Sequence, residues 1–248
     1  MDGSSPPRVY SFQSVFRSHA GHHRLLNEDR LLVQPDDGFW VVADGMGGQP
    51  GGDLAASRLV EALASINHHA AGYTRLNDVV RQIDLTNAAL FDAEGPGAAG
   101  GSTLVALLAH DGHYACLWAG DSRAYIFRDG ELSPITRDHS VVQALVDGGV
   151  ISEAERKRHP SAHVITRAVG AKPQLDLEQR FAPICEADVF LLCSDGLTTC
   201  VQDTEIAAIL QGETLSAGAD RLLDLALERG APDNVSLILV QAALGPSL

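Results

Sequence analysis

Four short apolar runs in this chain each touch an aspartate at one end. Phe39-Trp40-Val41-Val42-Ala43 runs into Asp44-Gly45-Met46-Gly47-Gly48. His113 to Ala119 runs into Gly120-Asp121-Ser122-Arg123, and Val189 to Cys193 into Ser194-Asp195-Gly196. Pro232-Asp233-Asn234 opens into Val235 to Val240. Runs this short with turn residues beside them are buried strands. A strand ending in Asp-Gly is common once; four such junctions imply that the strand ends share an edge and crowd their carboxylates there. Like charges that close repel unless a cation sits between them. Oxygen-only donors of this kind suit a hard divalent metal.

The blocks between these runs argue for an α+β chain. Val9 to Phe16 and Leu31 to Gln34 read as strands. Ala55, Leu59, Ala62, Leu63 and Ile66 fall on one helical face, as do Leu76, Val79, Val80, Ile83 and Leu90. Ser102 to Ala109, His113 to Ala119 and Ala124 to Arg128 read as successive strands, with hairpin signals at Asp111-Gly112 and Asp129-Gly130. Helices follow near His139 to Asp147 and over Ser152 to Arg158, where Ser152-x-x-Glu155 fits a capping box. Asp203 to Leu210 and Ala219 to Arg229 are the last helices, the second stopped by Gly230 and Pro232. Strands joined by tight hairpins are antiparallel. In such a sheet the end of one strand and the start of the next share an edge, which gathers Asp44, Asp121, Asp195 and Asp233. Glu28-Asp29, just before Leu31, reaches the same edge.

The net charge of −14 argues against non-specific nucleic-acid binding and against an anionic membrane surface. No apolar run is long enough to cross a membrane as a helix. Met1 to Arg8 lacks the basic and apolar regions of a signal peptide, so a cytoplasmic chain is expected. The four cysteines, Cys116, Cys185, Cys193 and Cys200, show no zinc spacing and read as reduced structural thiols. Gly95 to Gly101 is the one flexible-looking stretch and is too short for a domain linker.

Arg24-Leu25-Leu26-Asn27-Glu28-Asp29 resembles the opening motif of the metal-dependent serine/threonine protein phosphatases of the PPM, or type 2C, family. Val42-Ala43-Asp44-Gly45-Met46-Gly47-Gly48 resembles its second motif in bacterial form. Gly101-Ser102-Thr103, Ala119 to Arg123, Leu192 to Leu197 and Pro232 to Ser236 resemble later motifs, in the family's order, so the match runs from about Ser11 to Val240. The resemblance implies a four-layer α-β-β-α sandwich: two antiparallel sheets packed face to face and flanked by helices. It implies one catalytic domain over 1–248, with a core at about 11–240 and a flap at about 136–170.

By the same resemblance, two Mn²⁺ or Mg²⁺ ions sit at one edge of the sandwich. Asp44 bridges both, the Gly45 carbonyl contacts one, and Asp195 and Asp233 hold the other. Glu28 and Asp29 bind metal waters or orient ligands, and Asp121 helps bind a third ion. Such a pair clamps attacking and leaving oxygens and lowers the pKa of a bridging water, so hydroxide attacks phosphoserine or phosphothreonine without a covalent intermediate. Arg24 holds the phosphate in a bidentate fork, with a surface ion pair as its bland alternative. The partners implied are phosphorylated proteins, substrates of a cognate bacterial kinase.

Met46 departs from the eukaryotic pattern, which has a histidine as proposed general acid; His22 and His23 are candidates for that role, though solvated loop histidines are the simpler reading. His163 is a candidate third-ion ligand, with a mobile surface residue as the simpler reading. His139 reads as a helix-start residue, Asn87 as a hydrogen-bonded buried amide and Thr103 as strand-forming. Two alternatives stay open. A pseudophosphatase would lack a core carboxylate, and Asp44, Asp195 and Asp233 are all present. A hydrolase of small phosphate esters would spare phosphothreonine peptides.

Overall fold

Strands buried on both faces read as continuous apolar runs, because each face has a layer to pack against. Phe39 to Ala43 shows how this works, since all five side chains are buried. Phe39, Val41 and Ala43 face one core, and Trp40 and Val42 face another.

The computed structural model describes residues 10–47, 51–66, 72–94, 100–156 and 158–245. Val9, Gly48, most of the Gly95–Gly101 stretch, Lys157 and the Met1–Arg8 segment lie outside the described residues. The chain runs through β1 (Tyr10–His19), β2 (Arg30–Gln34), β3 (Phe39–Ala43), β4 (Gly45–Met46), α1 (Gly51–Ala64) and α2 (Gly72–Glu94). It continues with β5 (Gly101–Ser102), β6 (Leu104–His110), β7 (His113–Ala119), β8 (Arg123–Arg128), β9 (Glu131–Pro134), α3 (Val141–Asp147) and α4 (Glu153–Arg156). Then come β10 (Glu178–Pro183), β11 (Val189–Cys193), α5 (Asp195–Cys200), α6 (Asp203–Gly212), α7 (Leu215–Glu228) and β12 (Val235–Leu244).

Two five-stranded antiparallel sheets form, in the orders β1-β12-β11-β8-β9 and β10-β7-β6-β3-β2. Between them pack Trp40, Val105, Leu107, Cys116, Phe190, Leu192, Ile238 and Val240. Outside one sheet, Phe39, Val41 and Leu117 meet Leu59 and Leu63 of α1 and Val79 and Ile83 of α2. Outside the other, Leu191, Cys193 and Leu237 meet Ile206 of α6 and Leu222 of α7. The architecture is therefore the four-layer α-β-β-α sandwich, and Cys116 and Cys193 are buried strand residues within it.

Both Asp-Gly hairpins form. Asp111 and Gly112 have φ of 46° and 73°, and Asp129 and Gly130 have 52° and 81°. Two successive positive φ values suit the right-handed twist of the strands they join, and Asp-Gly adopts them readily. Several boundaries differ from the sequence reading. The strand expected over Ser102 to Ala109 is broken at Thr103, whose side chain turns to Asp44. The helix expected over Ser152 to Arg158 is one turn, Glu153–Arg156. Helix α7 begins at Leu215 rather than Ala219, because the Thr214 hydroxyl accepts from Ala217 N–H at 3.3 Å and caps it. Strands β9 and β10 had too little apolar alternation to be read in advance.

At the far end of the sandwich from the acidic junctions, Asp188 is fully buried and takes a bidentate pair from Arg128 at 2.7 and 2.6 Å. It also accepts Cys185 N–H at 2.7 Å. Replacing Arg128 with Met leaves the buried carboxylate without its cation, and should lower stability in urea unfolding by about 3–5 kcal/mol. A loss below about 1 kcal/mol would show that water already compensates Asp188 there.

Candidate active site

Register is what brings the acidic junctions together. Arg30 pairs with Ala43 and Leu104 with Ala119 in one sheet. In the other, Cys193 pairs with both Arg123 and Leu237, and His19 with Val235. Residues just beyond these pairs, Glu28-Asp29, Asp44, Asp121, Asp195 and Asp233, all leave the sheets at the same end. Glu28, Asp44, Asp121, Asp195 and Asp233 line one cleft of about 380 Å³, together with Arg24, Gly45 and the exposed His163. Asp29 lies behind it, 4% exposed.

Each carboxylate is held by local bonds. Asp44 N–H donates to Thr103 Oγ1 at 3.0 Å, and Asp44 O accepts Thr103 N–H at 2.8 Å. Thr103 Oγ1 also shares a 2.7 Å hydrogen bond with Ser122 Oγ, beside Asp121. Thr103 thus does more than form strand. Asp195 opens α5 rather than closing β11, a correction to the sequence reading. A Cβ on Gly196 would sit 1.9 Å from Asn234 O, so glycine lets the first turn of α5 lie directly on the backbone beside Asp233.

Asn234, 5% exposed, ties the loop between β1 and β2 to the start of β12. Its Nδ2 donates to Ala20 O and Leu26 O at 2.9 Å each, and its Oδ1 accepts Glu28 N–H at 2.8 Å. Ser194 Oγ donates to Asp29 Oδ2 at 2.8 Å. Arg24 Nη2 donates to Asp233 Oδ2 at 2.7 Å, a half-exposed ion pair at the cleft mouth.

The electrostatics are those of crowded anions. Burial, with Asp29 and Asp195 behind it, pushes Asp44 well above the usual carboxylate range. Burial and the Asp195 charge push Asp121 up to about 8, and burial with Asp233 pushes Asp195 up to about 6. Burial also raises Asp29, against the opposing hydrogen bonds of Ser236 and Ser194. Two buried carboxylate oxygens, Glu28 Oε1 and Asp29 Oδ1, have no hydrogen-bond partner. Among the described residues no three His, Cys, Asp or Glu side chains close into a ready-made ligand group. The donors are nevertheless all oxygen, mutually repelling and in part unpartnered, which is the chemistry a hard divalent cation fits.

His22 and His23 are exposed and do not line the cleft, as expected of solvated loop residues. Asn87 is the buried amide expected, donating to Lys172 O and accepting Gly170 N–H. His139 is not a helix-start residue; Ser140 caps α3, and the His139 ring is buried behind the Gly120–Asp121 turn. Sequence reasoning missed Asn234 and Ser194 as well, though both lie inside the motifs that carry Asp195 and Asp233.

The sequence profile of the family described as Protein phosphatase 2C matches residues 17–229. The serine/threonine protein phosphatase PstP of Mycobacterium tuberculosis is 37% identical over 229 residues, which are 90% of this chain and 43% of PstP. The chain thus spans less than half the length of that relative. A solved structure of the catalytic domain of PstP in complex with two manganese ions superposes with a TM-score of 0.84 at 33% identity, covering 95% of this chain and 100% of that one. PppA, described as a key regulatory component of T6SS in Pseudomonas aeruginosa, gives a TM-score of 0.86 at 39% identity, over 94% and 98% of the two chains.

Asn234→Ala should leave Glu28 N–H and two backbone carbonyls unpaired and cost about 1–3 kcal/mol. Thermal unfolding checks the loss. An unchanged melting temperature would mean that the loop at 20–28 is held by other contacts.

Proposed function

Since this chain belongs to the protein phosphatase 2C family, we propose that it is a metal-dependent phosphoprotein phosphatase hydrolysing phosphoserine and phosphothreonine without a covalent enzyme intermediate. The observation that carries the reading is the convergence of five carboxylates and Arg24, drawn from both sheets, on one cleft. We propose that residues 1–248 act as one catalytic domain, with its core at about 11–240 and the 136–170 segment as a flap at the cleft's edge.

In this reading Asp44, the Gly45 carbonyl, Asp195 and Asp233 would hold two divalent cations, with Asp44 serving both. Glu28 and Asp29, with their unpartnered oxygens, act through water or by orienting ligands. Asp121 serves a third ion, with His163 at the rim as an exposed neighbour of it. Mn²⁺ or Mg²⁺ suits this donor set; bound there, the ions would polarise the phosphate and make hydroxide available near neutral pH. The chain's own residues do the rest. Thr103, Ser194 and Asn234 fix where the carboxylates stand. Arg24, one bond from Asp233, turns its guanidinium to the phosphate, for which its planar fork is suited. Met46 has no proton to give the leaving oxygen. The substrates are proteins phosphorylated by a cognate kinase, met in the cytoplasm, and neither nucleic acid nor membrane is a partner. No helix among the described residues is long and apolar enough to cross a membrane.

Exhaustive chelation should abolish phosphate release from a phosphothreonine peptide, and Mn²⁺ or Mg²⁺ should restore it. Full activity with no metal by elemental analysis would end the two-metal reading. Failure on the peptide with turnover of a small aryl phosphate would make the protein a small-ester hydrolase instead.

Asp195→Asn and Asp233→Asn should each lower kcat at least about a hundredfold, because the charge holding one ion is removed. Arg24→Ala should instead raise KM for phosphopeptide, losing a charge-assisted pair of about 1.5–3 kcal/mol, and leave Mn²⁺ binding intact. Weakened Mn²⁺ binding in Arg24→Ala, with normal KM, would move Arg24 out of the phosphate site.

A further inference from the structure

The Gly120–Asp121–Ser122 turn joins β7 to β8 and is gripped on both flanks by two adjacent residues of another segment. On one flank Asp138, nearly buried, takes Arg123 Nε and Nη2 at 2.7 Å each. Arg156 of α4 adds a third bond to it at 3.0 Å. On the other flank His139 lies behind the turn, 7% exposed, with its ring parallel to Trp118 at a centroid distance of 6.1 Å. Gly120 N–H donates to His139 Nδ1 at 3.2 Å, and His139 N–H donates to Gly120 O at 2.9 Å.

A backbone N–H can only donate, so Nδ1 must accept and the proton of a neutral ring sits on Nε2. Burial and the Arg167 charge hold the ring below its ordinary value, consistent with the neutral form. Nε2 lies 3.3 Å from Glu178 Oε1 and 3.1 Å from Arg167 Nη1; with the proton on Nε2, both groups donate to Glu178, which Arg167 Nη1 holds at 2.8 Å. Trp118, Glu178, Arg167 and Gly120 therefore surround the ring, and Thr166 N–H donates to His139 O at 2.7 Å and holds the backbone beside it.

We propose that His139 is a positioning residue for Asp121: its Nδ1 fixes the Gly120 amide, and this sets how far the Asp121 carboxylate reaches into the cleft. A purely packing residue in this place would need only shape. His139 supplies an acceptor at the one residue between β7 and Asp121. The consequence for cation binding rests on the reading of Asp121 as a third-ion ligand; the placement of the turn does not.

Two substitutions separate acceptor from shape. Leucine fills the space against Trp118 and cannot accept. Asparagine places its side-chain oxygen near the position of Nδ1 and can. In the metal-free protein, amide exchange at Gly120 should quicken about fivefold in His139→Leu, the worth of one net hydrogen bond, and return toward wild type in His139→Asn. The Mn²⁺ concentration for half-maximal activity, and for the weakest Mn²⁺ site by equilibrium dialysis, should rise in His139→Leu and recover in His139→Asn. Unchanged Gly120 exchange in His139→Leu overturns the proposal. So does an Asn variant as defective as the Leu variant. If Gly120 exchange responds as described while the Mn²⁺ curves stay put, His139 still positions the turn, and it is Asp121 that leaves the cation site.

Discussion

Mutual repulsion among carboxylates at one end of two sheets is the constraint to which the rest of the site answers. The sheets impose it. Strand pairs such as Arg30 with Ala43 and Cys193 with Leu237 are fixed by cores that hold every second side chain on a given face. A slip of one residue would exchange the side chains that each central strand sends to the two cores on its faces, so register cannot relax to spread the charges. The folded chain therefore carries its acidic end as a strained feature maintained by apolar burial elsewhere. Burial first, and the neighbouring carboxylates second, raise the proton affinity of Asp44, Asp121 and Asp195.

Around the carboxylates stands a layer of neutral hydrogen-bonding groups, and its function is placement. Thr103, Ser122, Ser194, Asn234 and His139 are each buried, and each bonds a backbone or side-chain group beside an acidic residue. None brings a cation into the site. This division makes physical sense for a site meant to take metal: charge from the protein's own arginines would compete with the ion, whereas hydroxyls and amides fix geometry without supplying net charge. Arg24 is the exception, and it sits at the mouth rather than the floor, half exposed on Asp233.

The acidic strand ends were legible because a strand that is apolar throughout and stops at Asp-Gly leaves few other readings, and because Asp111-Gly112 and Asp129-Gly130 announce their hairpins chemically. The α+β class followed from the same runs, and the four layers from the resemblance to the type 2C phosphatases. What stayed hidden has a common cause. β9 and β10 are edge strands with exposed residues and little apolar periodicity of their own; β9 is defined by its hairpin with β8, and β10 by pairing with β7, distant in the chain. The roles of His139 and Asn234 likewise depend on partners far away in sequence, Gly120 and Glu28. Helix chemistry near Ser140 made His139 look like a start signal. Its neighbour holds that position instead.

The same charge arithmetic bears on how a phosphate enters. Five carboxylates line the cleft against Arg24 and the rim histidine, in a chain already at −14 overall. At an effective dielectric of about 20, two like unit charges about 4 Å apart oppose each other by about 4 kcal/mol. A phosphoserine dianion would meet that opposition from each carboxylate that stays ionised, against the single favourable charge of Arg24. Substrate affinity in the proposed reaction is therefore tied to cation occupancy, and by linkage the cations bind more tightly when phosphate is present. Arg24 rests on Asp233. In the proposed reaction it would turn to the phosphate once another cation held that carboxylate, and the ion pair at the cleft mouth and the phosphate fork implied by the family resemblance would then be two states of one side chain.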